Sequence, residues 1–214
     1  MRLLFLFIVA GLFQIIPERS WNVVPQQNEC LECHSDLMDG EYIHAPMHDA
    51  CENCHESTGQ PHPLENTRGF TLVLAAPELC YVCHEALNAY EHVHYPVQEG
   101  DCMGCHSIHG GAHPALVKQA PTSILCFECH DPEIQNHTHL HGPLNQGLCE
   151  ACHNPHQSEH PTLLKRAKPA LCFECHEQTG AEFEHNTRHE PFVEDCATCH
   201  ASHGSETRGL LAEK

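Results

Sequence analysis

Sixteen cysteines stand in the chain, and all sixteen fall into one spacing. They form eight C-x-x-C-H phrases, at Cys30–His34, Cys51–His55, Cys80–His84, Cys102–His106, Cys126–His130, Cys149–His153, Cys172–His176 and Cys196–His200. Two residues between the thiols put both sulfurs on one side of a single turn, and the next residue adds an imidazole there. In an exported protein this pattern attaches haem c. Cys30 and Cys33, Cys51 and Cys54, Cys80 and Cys83, and Cys102 and Cys105 would each form two thioethers, as would Cys126 and Cys129, Cys149 and Cys152, Cys172 and Cys175, and Cys196 and Cys199. The proximal iron ligands are then His34, His55, His84, His106, His130, His153, His176 and His200. A lone phrase also suits a redox dithiol or half of a zinc site. Eight phrases with His in every one do not, because zinc needs pairs that close on four ligands. A disulfide framework would not hold every Cys to one spacing. The expected cofactor is haem c, eight copies, covalently attached.

A bis-imidazole iron needs a second His, and the 23 histidines supply enough. The phrases group in pairs whose first members start 50, 46 and 46 residues apart, the period of an internal repeat. Inside each pair stands His, any residue, Pro, then an apolar residue: His44, His94, His141 and His189 head these four phrases. Pro fixes the backbone just beyond the His and so favours holding its ring in one place. A further His follows the second motif by three residues at His109, His156 and His203. Pair one has Thr58 there, and its nearest substitute is His62. These eight histidines are the distal candidates. His113 and His160 share with His62 a following Pro and read as parts of a shared turn. His48, His92, His137, His139 and His185 are left over, and all but His48 stand close enough to the distal phrase to compete.

The elements that must position these residues are thin. From Cys30 onward the chain allots about 23 residues to each haem, too few to build a separate core around each one. Without the cysteines and the N-terminal apolar run, roughly 30% of the residues are apolar, low for a globular domain. The haems must then supply most of the buried apolar surface, and the chain without them should be largely unfolded. The fold class expected is mostly irregular coil with short α-helices wrapped round a haem stack, little or no sheet, in four tandem two-haem repeats. The repeats are placed at residues 29–65, 78–117, 124–164 and 170–205, with a polar tail at 206–214. Phe70–Ala76 is the only strand-like apolar run after the leader, and it reads better as a spacer over a haem edge than as a strand. Lys165, Arg166 and Lys168 read as a solvated linker. Residues 1–20 read as a signal peptide with Arg2 before an apolar run, an uncleaved anchor being the second reading. Net charge is −19, which argues against nucleic acid as a partner and suits either solubility or steering toward a basic redox protein.

Read together, Leu-Cys-x-x-Cys-His, then His-x-Pro, then Gly-x-Cys-x-x-Cys-His-x-x-His resembles the doubled C-x-x-C-H family of multihaem c-type cytochromes. Pairs two and three carry the whole phrase, including Gly100 and Gly147; pair one lacks the Gly and the last His, and pair four lacks the Gly. The resemblance implies electron transfer through closely packed haems in a periplasmic, cell-surface or extracellular respiratory chain, without enzymatic turnover. The alternatives are an octahaem reductase of nitrite, hydroxylamine or a sulfur oxyanion with one open iron, for which pair one is the place to look, and a subunit of an extracellular cytochrome filament.

Overall fold

The computed structural model describes residues 27–185 and 195–212. The leader and the His189 phrase lie outside the described residues. Most helices are a single turn, because most are either a cysteine motif or a turn opened by proline. In seven motifs the His N–H donates to the carbonyl of the first Cys at 2.9–3.0 Å, one closed α-turn. That turn brings both thiols and the imidazole to one side. Three first motifs begin in turns at Glu78–Tyr81, Ser123–Cys126 and Ala170–Phe173, just after Pro77, Pro121 and Pro169. Proline suits a helix start, where its missing N–H is not needed. Asp101 and Asp195 cap two second motifs, accepting from the N–H groups of Gly104 and Ala197. Glu177–His185, nine residues, is the longest helix among those described.

Among the described residues, eight short strands form four antiparallel pairs. In chain order they are β1 (Tyr42–Ile43), β2 (His55–Ser57), β3 (Phe70–Leu72), β4 (His92–Val93), β5 (Gly110–Gly111), β6 (His139–Leu140), β7 (Gln157–Ser158) and β8 (Gly204–Ser205). The pairs are β1 with β5, β2 with β3, β4 with β7, and β6 with β8. The expectation of coil, short helices and little sheet holds. The reading of Phe70–Ala76 as a spacer does not: Phe70–Leu72 is β3, and its backbone pairs with β2, Ser57 opposite Phe70 and His55 opposite Leu72. Threonine between two apolar residues alternates, which a half-buried strand requires.

Three of the four pairs cross a repeat boundary, joining the strand before a His-x-Pro phrase to the strand after the second motif of the following pair. Side chains strengthen two of them. Gln157 Oε1 accepts from the N–H groups of Ala89 and Tyr90, and Glu206 accepts from the N–H and hydroxyl of Thr138. The basic linker is tied down rather than free, with Arg166 on Glu174 at 2.5 Å and Lys168 on Asp195 at 3.3 Å.

Among the described residues Leu144 is the one buried hydrophobic side chain. In place of a core there is a continuous cavity of about 2800 Å³ running from Glu29 to Leu210. All sixteen cysteines and all eight motif histidines line it. Among the described residues no helix is long and apolar enough to cross a membrane.

Candidate haem-binding channel

Each His-x-Pro histidine described sits in the same extended conformation, with φ −63 and ψ 129 at His44, −62 and 135 at His94, and −64 and 138 at His141. The proline then starts a helical turn, so the ring is thrown off its front edge. Its place is fixed by the next repeat. His44 N–H donates to His109 O at 2.9 Å, His94 N–H to His156 O at 2.8 Å, and His141 N–H to His203 O at 2.8 Å. The rings of His44 and His94 are also held: Nδ1 meets the carbonyls of Ile108 and Pro155, each at 2.8 Å. A carbonyl only accepts, so Nδ1 carries the proton and Nε2 keeps its lone pair for a metal.

The cavity then shows a simple rule. Every first-motif imidazole is faced by a non-motif one: His34 by His62 at 5.8 Å between ring centres, His84 by His44 at 6.0 Å, His130 by His94 at 6.1 Å and His176 by His141 at 6.2 Å. Three second-motif imidazoles are faced likewise: His55 by His109 at 6.2 Å, His106 by His156 at 6.0 Å and His153 by His203 at 6.1 Å. A metal–imidazole bond is about 2 Å, so two such bonds plus two ring radii come to about 6 Å. Seven pairs at that one spacing, each joining a motif His to a non-motif His, fit an iron between the rings. Chance stacking would not choose its partners by class. Among the described residues no three His, Cys, Asp or Glu groups converge on a direct metal site.

The His-x-Pro ring of one pair therefore faces the first motif of the next pair. The ring three residues after a second motif faces the second motif of the pair before. This relocates the gap expected at Thr58. His55 has its facing ring in His109, and His62 faces His34 instead. Thr58 belongs to the β2–β3 hairpin, its N–H on Gly69 O at 2.9 Å. His62 is steadied by the edge of Phe70 at 5.3 Å and by Gly69, where a Cβ would come within 2.4 Å of His62 Cβ. The second motif without a facing ring among the described residues is His200, at the other end of the series. His189 lies outside the described residues. His113 and His160 face no motif His; they stand just ahead of the turns Pro114–Leu116 and Pro161–Leu163. His92 and His139 lie on β4 and β6, and His137 meets Glu206 at 3.3 Å.

Burial favours the neutral form at three of the facing rings. His109, His156 and His203 all have their pKa lowered, first by desolvation and then by nearby imidazoles: His55 and His44 around His109, His106 and His94 around His156, His153 and His141 around His203. Six of the thiols are pushed the other way. Desolvation, then Cys149, then Glu150 lift Cys126 to about 11. The same neighbour effect joins Cys30 to Cys51, Cys102 to Cys80 and Cys172 to Cys196. Between pairs the second thiols are neighbours, Cys105 with Cys129 and Cys152 with Cys175.

The sequence did not reveal the carbonyls of Ile108 and Pro155 or the two-residue strands. Backbone acceptors carry no residue signature, and two residues make no period. The glycines were legible and now have a reason. Gly100 and Gly147 have φ +74 and +69, and a Cβ would meet Pro77 Cδ at 2.8 Å or Ser123 Oγ at 2.6 Å.

Compared with known proteins, the chain matches the doubled CXXCH motif at residues 94–135, 141–181 and 189–214, together about half its length. A search of curated proteins found no match. The first two matched segments each hold a facing pair described above, His94 with His130 and His141 with His176. With the motifs, their turns and the facing imidazoles all agreeing, the chain belongs to the doubled CXXCH motif family of multihaem c-type cytochromes.

Proposed function

We propose that the protein carries electrons along eight covalently bound haems c, in an exported respiratory or extracellular electron-transfer chain. The observation that carries this reading is the set of seven facing imidazole pairs in one continuous cavity. Two imidazoles on an iron leave no face for substrate, and such a haem exchanges single electrons with little change in ligation. The thiol neighbours support a single file in chain order. First thiols adjoin within a pair, and second thiols adjoin between pairs two and three and between pairs three and four. The acidic chain suits a basic redox partner, with no role for nucleic acid.

The reading is tested by purifying the exported protein, counting covalent haems by mass and recording the spin state. Eight haems, at least seven of them low-spin, are expected. A colourless folded product would refute it. A reductase is the second reading; it would need one iron open to nitrite, hydroxylamine or a sulfur oxyanion, and among the described residues His200 is the motif imidazole without a facing ring. Carbon monoxide binding to one haem in eight, lost with Cys196→Ala/Cys199→Ala, would promote that reading. A filament joined by ligand exchange draws less support. A second copy placed after pair four would offer Thr58, not an imidazole, to His200.

A further inference from the structure

After each of the last three second motifs the chain returns through a turn of the same unusual shape. Two consecutive residues take the left-handed conformation: Ala115 and Leu116 at φ 53 and 57, Thr162 and Leu163 at φ 55 and 58, and Gly209 and Leu210 at φ 78 and 57. Five of these six residues carry a Cβ, which disfavours that conformation. The first residue of each turn stands nine positions after its motif His. Its carbonyl meets that histidine's ring: His106 Nδ1 on Ala115 O at 2.9 Å, His153 Nδ1 on Thr162 O at 2.8 Å, His200 Nδ1 on Gly209 O at 2.9 Å. The turns are locked from behind. Ser107, Asn154 and Ala201 donate N–H to the carbonyls of Leu116, Leu163 and Leu210 at 2.8, 2.8 and 2.7 Å. Pair one has no such turn. After His55 its chain enters the β2–β3 hairpin, and among the described residues no carbonyl reaches the His55 ring.

We propose that Ala115, Thr162 and Gly209 are positioning residues that lower the reduction potentials of the irons at His106, His153 and His200 below that at His55. The proposal rests on the haem reading above. A carbonyl on Nδ1–H fixes the tautomer that leaves Nε2 free, fixes the plane of the ring and makes the imidazole a stronger donor. A stronger donor favours the ferric over the ferrous iron. Residues held in a disfavoured conformation, at three equivalent places, each aiming one acceptor at one ligand, point to a function for that conformation. The sequence marks the turn in two of the three cases, by His113-Pro114 and His160-Pro161.

The test is Thr162→Pro in the full haem-loaded chain, because proline cannot take a positive φ. A redox titration resolving the individual haems is expected to shift the His153 iron about tenfold toward the ferrous state, 59 mV for one electron, with the other seven unmoved. The conservative Thr162→Gly accepts the same φ and restores the potential. A His153 potential unchanged by Thr162→Pro, with eight haems still bound, overturns the proposal and leaves the electron-transfer reading standing. Absence of covalent haem from the wild-type protein instead overturns that underlying reading. Should Thr162→Pro fail to load haem, the wild-type protein decides. Its Nδ1 protons at His106, His153 and His200 exchange with D2O more slowly than that of His55, and equal rates overturn the proposal.

Discussion

His156→Ala separates ligation across repeats from ligation within one. The ring of His156 faces His106, fifty residues earlier, while its own motif His153 is faced by His203. Alanine removes the ring but keeps the carbonyl that accepts from His94 N–H at 2.8 Å. The joint between pairs two and three therefore survives, and only the imidazole is lost. Through a haem attached at Cys102 and Cys105, that imidazole cross-links a loop of about 50 residues, for which the chain-entropy relation gives at most about 4 kcal/mol. The substitution is expected to lower the unfolding free energy, read by denaturant titration, by up to that much and to turn one haem in eight high-spin. Electron paramagnetic resonance of the oxidised protein reads the second effect. A companion variant locates it. In Cys102→Ala/Cys105→Ala, which strips the haem at His106, adding His156→Ala should produce no further high-spin iron. If the high-spin signal persists there, or follows Cys149→Ala/Cys152→Ala instead, ligation between neighbouring repeats is the wrong description.

Three further outcomes are expected. Protein made in a host that does not attach haem should show a coil-like far-ultraviolet spectrum and no cooperative melting, because Leu144 alone is buried among the described hydrophobic side chains. Gly147→Ala should cost at least about 1 kcal/mol in denaturant titration, since alanine at a positive φ is strained and its Cβ would press on Ser123; Gly142→Ala, which meets nothing within 4 Å, should be close to neutral. Glu206 has its pKa held below the usual glutamate range, mainly by the hydrogen bonds from Thr138. A depressed carboxyl contributes above its unfolded pKa and loses that contribution as pH falls through the folded one. The protection factor of the Thr138 amide, its exchange rate taken relative to the intrinsic rate at each pH, should therefore fall on acidification, and Glu206→Gln should flatten that response.

The cysteine motifs were legible because covalent haem attachment requires fixed residue types at fixed spacing. Cys126 and Cys129 with His130 can be read from five letters. The facing rings were half legible. His44, His94 and His141 announce themselves by the proline two residues on, and His109 and His156 by their register with the motif. Their partners were not legible. Nothing local to His156 says that it faces His106 rather than His153, because the choice is made by β4 and β7, two residues each. Thr58 misled for the same reason. Within one repeat it looks like a missing ligand. Across repeats, His55 takes its facing ring from His109 of the pair after, so Thr58 leaves no gap at His55. Phe70–Leu72 was misread because a three-residue strand and an apolar cover have the same composition.

The ligation rule is translational, and that gives it a consequence no single substitution tests. Pairs two and three each lend one imidazole forward and one back, while pair one lends His44 forward and pair four lends His203 back, so repeats contact neighbours only, as in a one-dimensional array. Removing 126–171 deletes one period of 46 residues and joins Leu125 to Cys172, the same Leu-Cys step that stood there before. By the rule, His94 then meets His176, and His106 meets His203. Strand β4 can pair with β8 as it did with β7, because those contacts are made by backbone. The product should bind six haems with no more high-spin iron than the parent. Truncating after residue 169 removes the same two motifs' worth of chain, 45 residues, yet takes away His203, the ring facing His153. That shorter truncation should leave the His153 iron high-spin. If the internal deletion exposes an iron and the terminal one does not, the repeats are not equivalent and the forward-and-back exchange of imidazoles fails as the organising rule.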